Sequence, residues 1–161
     1  MRLWEKWNTK EFSEMRFDAW NMRYKDLDDF LEQYNPVTGS HPEAKHLFGS
    51  WVTFARTIGG LATLRRKNLI EIDFLDGAMI NDIYNFWYNF GQVAYESTEK
   101  RIPLFGGNAP FIKEVIDYDR IRRPWMYDKD SGEPRGPSDP NIELTWVKPE
   151  DVIELRKKVY Q

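Results

Sequence analysis

The stretch "MINDIYNFWYNFGQVAYESTEK", residues 79–100, decides the fold. From Tyr84 to Glu96 it sets six aromatic rings in thirteen positions, and those rings are either core or surface. On a helical wheel at about 100° per residue they separate. Ile83, Phe86, Trp87, Phe90, Val93 and Ala94 fall within an arc of about 120°, which predicts a buried face. Asn85, Asn89, Gln92 and Glu96 take the far side and are expected to meet water. Tyr84, Tyr88 and Tyr95, with Gly91 between them, form a narrow seam on the shoulder of the core arc. A ring there half-buries while its hydroxyl reaches solvent or a partner. The seam reads either as packing against a neighbouring helix or as an interface, since tyrosine is enriched at interfaces and glycine permits close approach.

Working outward, the same periodicity predicts four more helices. Phe12, Met15, Ala19, Trp20, Tyr24, Leu27, Phe30, Leu31 and Tyr34 recur at three- and four-residue steps, predicting one long helix over 9–34. Asn8 is its expected cap, with Glu11 as return partner, and Asn35-Pro36 its end. Ser40-His41-Pro42-Glu43 is a second start signal, and the stripe from Ala44 to Ala62 carries that helix to Arg66. Gly59-Gly60 inside it predicts a close helix crossing or a mild kink. "KNLIEIDFLDG" (67–77) reads as a bend with a short turn capped by Asp73. "APFIKEVIDYDRI" (109–121) is a shorter helix, and Pro149 opens a terminal one. "RRPWMYDKDSGEPRGPSDPN" (122–141) has four prolines and no periodicity, so it reads as a functional loop or a mobile segment. The expectation is one all-α domain over 1–161. It comprises an N-terminal segment 1–8, a bundle 9–122, an extended loop 123–148 and a terminal helix 149–161, with three long helices and two shorter ones.

Composition removes several function classes. The chain has 161 residues, enough for a real core, and no cysteine, which excludes disulfides, thiolate nucleophiles and cysteine zinc sites. That usage fits a cytoplasmic protein. A net charge of -3 offers no general attraction to nucleic acid. No apolar run approaches the roughly 20 residues of a membrane span, and "MRLWEKWN" does not read as a signal peptide.

No constellation compels a reaction. Glu43-x-x-His46 has di-metal spacing, but the only other histidine is His41 and no second pair exists, so no metal or cofactor is expected. Asp128 to Asp139 imitates a calcium loop with its glycine misplaced, and reads better as an acidic turn. Gly-x-Ser-x-Gly is absent. In "FGGNAP", Gly106, Gly107 and the amides after Asn108 offer an anion cradle, against the plainer reading of an Asn-capped turn. Arg65-Arg66-Lys67 suits a helix C-terminus, where cations meet the negative end of the dipole. Arg120, Arg122 and Arg123 stand beside Pro124-Trp125. Arg122, Arg123, Trp125 and Tyr127 are therefore candidate contacts for a small anionic or nucleotide ligand, by cation and stacking interactions. The plainer alternative has Trp125 pin the loop while the arginines pair with aspartates.

"LATLRRKNLIEIDFLDGAMINDIYNFWYNF" (61–90) is a helix ending in basic residues, a Leu-Ile-x-Ile-Asp bend, and a helix with an aromatic-Trp pair, Phe86-Trp87. With "RFDAWNMRYKDLDDFLEQY" (16–34) before it, this resembles an uncharacterised helical family, domain of unknown function 4760, over residues of about 10–100. The resemblance implies a helical interaction or sensing module, with a membrane-proximal role among its settings, and carries no catalytic residues. The function expected is therefore binding without catalysis, to a protein partner or as a homo-oligomer. Interface candidates are Tyr84, Tyr88, Gly91 and Tyr95, together with Trp4 and Trp7. The alternative is a small-molecule or nucleotide binder, even an enzyme, with a pocket between the bundle and the 122–140 loop.

Overall fold

The computed structural model describes residues 3–135 and 146–161, with side chains from Glu5 onward. Among them there is no strand. Seven α-helices follow one another: α1 (Leu3–Trp7), α2 (Lys10–Asn21), α3 (Leu27–Tyr34), α4 (Ala44–Arg66), α5 (Gly77–Glu99), α6 (Ala109–Arg122) and α7 (Pro149–Val159). The only sheet-like feature among the described residues is an isolated antiparallel bridge between Tyr127 and Pro134. No described helix is long and apolar enough to cross a membrane.

The helix expected over 9–34 is two helices. Its apolar stripe continues through 22–26, but the backbone does not. Met22 is extended, at φ -66° and ψ 134°. Asp26 caps α3 by accepting from the Asp29 N–H at 2.8 Å, and Asp29 reaches back to the Lys25 N–H at 2.8 Å. These local side-chain bonds offer the backbone a better partner than another helical turn. Tyr34 closes the break, accepting from the Arg23 N–H at 2.9 Å and donating to the Arg23 carbonyl at 3.1 Å. The cap of α2 is Thr9, which accepts from the Phe12 N–H at 3.2 Å, and not Asn8.

Further on, α4 begins at Ala44, because His41 already ties the turn: its Nδ1 accepts from the Glu43 N–H at 3.1 Å. Ser40, the expected cap, instead donates its N–H to the Glu32 carbonyl at 2.9 Å. Gly39 is required in that turn, since a Cβ there would stand 2.5 Å from the carbonyl oxygens of both Asn35 and Gln33. Gly60 makes no close crossing; a Cβ on it would meet nothing within 4 Å. Asp73 lies inside a short 3-10 turn, Ile72–Phe74, and does not cap it. The cap nearby is Asp76, which accepts from the Met79 N–H at 2.8 Å and starts α5.

The chain forms two compact units, 1–61 and 62–161. In the first, Phe12 stacks on Phe54 at 5.2 Å with Trp7 at 4.8 Å from Phe12. A second cluster gathers around Phe30, whose ring meets Tyr24 at 5.2 Å and Trp51 at 5.4 Å. In the second unit α5, α6 and α7 pack on one another. The predicted core arc of α5 is the core: Ile83, Phe86, Trp87, Phe90, Val93 and Ala94 are all fully buried. Phe105, from the connection after α5, closes on Phe86 at 4.6 Å. Each such ring contributes about 1.5–3 kcal/mol of transfer free energy on burial.

Candidate functional site

The tyrosine seam of α5 is covered in part by the chain itself. Tyr84 is buried, and its hydroxyl donates to the Arg135 carbonyl at 2.7 Å. Burial, with Tyr88 alongside, pushes its phenol up to about 12. The Trp146 ring lies 6.1 Å from Tyr84 and 5.9 Å from Tyr88. One turn along, Trp87 Nε1 donates to the Val147 carbonyl at 2.7 Å. A Cβ on Gly91 would stand 3.4 Å from Val147 Cβ, so the glycine admits this segment. Tyr95 is half-buried. Trp7, expected at an interface, is 1% exposed and belongs to the core, because Phe12 and Phe54 surround it. The side chain of Trp4 lies outside the described residues.

The four ligand candidates at the end of α6 do not converge. Asp119 is 3% exposed and draws two of them inward. The Tyr127 hydroxyl donates to Asp119 Oδ2 at 2.8 Å, and Arg123 Nε donates to Asp119 Oδ1. Burial, then the bond to Asp119, raises the Tyr127 phenol far above its ordinary range. Arg123 Nη2 is buried without a hydrogen-bond partner among the described residues. Arg122 and Trp125 stay at the surface. Trp125 is 65% exposed and Ile121 is 84% exposed. The Arg122 guanidinium lies 5.3 Å over the Tyr118 ring and donates to its hydroxyl.

A cavity does lie between α6 and residues 131–133, near where the alternative reading expects a pocket. It holds only about 180 Å³. Lys113, Arg120 and Lys148 line it together with Asp117, Glu133 and Glu150, so its charges balance. That is below the ~300 Å³ usual for a small-molecule site. Residues 136–140 of that loop lie outside the described residues, as does Asp139 of the calcium-like stretch. Asp128 is spent on its own turn, accepting from the Ser131 N–H at 2.8 Å and the Asp130 N–H at 2.9 Å. Those amides, with the Ser131 hydroxyl, hold its carboxyl below the usual range.

One concavity among the described residues was not read from the sequence. It is an open cleft of about 790 Å³ between α2 and α4. Glu11, Glu14, Asp18 and Glu43 rim it, over Met15 and Pro42. Asp18 Oδ2 meets His46 Nε2 at 2.9 Å and accepts from Ser50 Oγ at 2.9 Å. Serine, histidine and aspartate thus gather, but in an order that does not activate the serine. Catalysis needs the imidazole between hydroxyl and carboxylate, and here the carboxylate holds both. Glu43 and His46 share the cleft, yet no group of three or more His, Cys, Asp or Glu among the described residues is placed to hold a metal ion.

No family model, no curated protein and no solved structure matches the chain.

Proposed function

We propose that the chain is a non-catalytic helical interaction module that associates with a second copy of itself. The observation that carries this reading is the exposed corner at the end of α6. Ile121 and Trp125 stand 84% and 65% exposed on either side of Arg122. Among the described residues, Arg122 has no carboxylate partner. Tryptophan and arginine are the residues that dominate binding energy once desolvated in a partner's pocket.

The α2–α4 cleft is the complementary surface. Its carboxylates match Arg122 in charge, and its volume of about 790 Å³ exceeds what an indole needs. Met15 and Pro42 provide the apolar floor. The contact is head to tail, so it closes into a ring or extends as an open chain. No cofactor is required. The absence of cysteine supports a cytoplasmic setting, and the resemblance to domain of unknown function 4760 supports an interaction role.

The test is the solution mass over a concentration series, by light scattering after size exclusion. The expected mass exceeds the 19.3 kDa monomer and falls on dilution and with added salt. Trp125→Ala and Arg122→Glu each return the monomer, and adding Glu14→Arg to Arg122→Glu restores assembly. A monomer mass at every concentration sinks the proposal.

A further inference from the structure

Two features that the sequence presents separately meet in the second unit. Arg65 and Arg66 at the end of α4, Asn68 in the turn after it, Gly107 in the turn before α6, and Phe111 and Glu114 in α6 itself line one open cavity of about 400 Å³. Arg156 of α7 arrives at the same glycine. Its guanidinium carbon and terminal nitrogens lie 3.8 Å from where a Cβ on Gly107 would stand.

The charges there are unevenly spent. Arg65 is satisfied, with Nη2 2.6 Å from Glu114 Oε1 and Nη1 2.8 Å from Glu71 Oε2. Its hydrogen bond to Glu114, with the charges of Glu114 and Glu71 and the bond to Glu71, holds its guanidinium above its usual range. Arg66 has only a long bond to Thr63 Oγ1, at 3.4 Å. Arg156 lies over the Tyr160 ring at 5.2 Å. Among the described residues neither has a carboxylate partner, although the whole chain is acidic. Carboxylates elsewhere on this unit pair with Lys113, Arg123 and Lys157.

We propose that this cavity binds the phosphate monoester group of a small soluble molecule. Guanidinium forks match phosphate oxygens in pairs, and Arg66 and Arg156 have no carboxylate partner among the described residues. Gly107 brings bare backbone to the rim, and Asn108 makes no side-chain cap bond, so the start of α6 adds positive potential of the same sign. The volume lies within the roughly 300–1,000 Å³ of small-molecule sites, more than a bare phosphate fills. The buried Phe111 ring gives the remainder of the ligand an apolar wall.

The experiment is calorimetric titration of the full chain with inorganic phosphate and with glycerol 3-phosphate. In parallel, the chain is co-sedimented with phosphatidylcholine vesicles carrying phosphatidic acid. Saturable binding of glycerol 3-phosphate is expected, tighter than that of inorganic phosphate. Arg66→Gln and Arg156→Gln should each weaken it at least tenfold, while Lys157→Gln, the same charge change on the same helix, leaves it unchanged. Should a glutamine variant fold poorly, Gly107→Asp adds a carboxylate to the cavity rim beside the Arg156 guanidinium and should abolish binding. Binding to the phosphatidic acid vesicles alone, lost in the same variants, keeps the phosphate chemistry but overturns the soluble source. No saturable binding to any probe, or equal binding by the variants, overturns the site.

Discussion

The Tyr127 hydroxyl meets the Asp119 carboxylate at 2.8 Å, with both side chains buried. Asp119 also holds Arg123, so one carboxylate fixes the end of α6 and the turn after it. Tyr127→Phe strands a buried acceptor and should cost about 1–3 kcal/mol. Asp119→Ala leaves Arg123 largely buried without its counter-charge and should cost more, about 3–5 kcal/mol. Urea unfolding of the two variants checks the order; equal losses would show that the arginine finds another partner.

Tyr84 makes the chain sensitive to alkali. Its phenol ordinarily titrates at 10.0 and is pushed to about 12 in the fold, first by burial and then by Tyr88. A raised pKa favours the neutral form when folded, so its stabilising effect is complete below pH 10 and lost as pH climbs through 12. Tyr127 acts in the same direction. Denaturant midpoints should therefore fall between those pH values, and fall less steeply in Tyr84→Phe, at a cost of about 1 kcal/mol for the bond to Arg135.

Phe86 and Trp125 should behave oppositely under truncation. Phe86 is fully buried, so Phe86→Ala should cost about 3–5 kcal/mol. Trp125→Ala removes an exposed ring and should change monomer stability by no more than about 0.5 kcal/mol. A large loss for Trp125→Ala would mark it as a packing residue and remove the proposed contact surface with it.

The glycines divide in the same way. Gly39→Ala forces a methyl against two carbonyl oxygens and should destabilise by about 1–3 kcal/mol. Gly60→Ala, mid-helix with open space around it, should stabilise by about 0.5–1 kcal/mol. Thermal unfolding of the pair decides; a loss at position 60 would reveal a contact there.

Sequence periodicity was sufficient for the body of α5, because its stripe and its core arc agree, but it set the start at Met79 and the nearby cap at Asp73, where Asp76 caps a helix that begins at Gly77. It misled over 9–34, where the stripe keeps phase through the break and only the Asp26 cap, three residues before Asp29, marks it. Tyr127 and Arg123 read as candidate ligand contacts, with aspartate pairing as the plainer alternative for the arginine; the steps from Asp119 to Arg123 to Tyr127 are those of one helical face and could have revealed the partnership. The meeting of Asp18 with His46 and Ser50 has no local trace, since it depends on α2 lying along α4. Likewise Arg66 and Gly107 were each legible as features, but only the fold makes them neighbours.

The exposure of Trp125 also gives the molecule an optical handle. Trp7, Trp51 and Trp87 are sheltered in the cores, whereas Trp125 stands in solvent. Iodide will quench its emission ahead of theirs, and anything that settles on the end of α6 will shield that fraction and shift it to the blue. Occupancy of the corner can thus be followed in unlabelled protein.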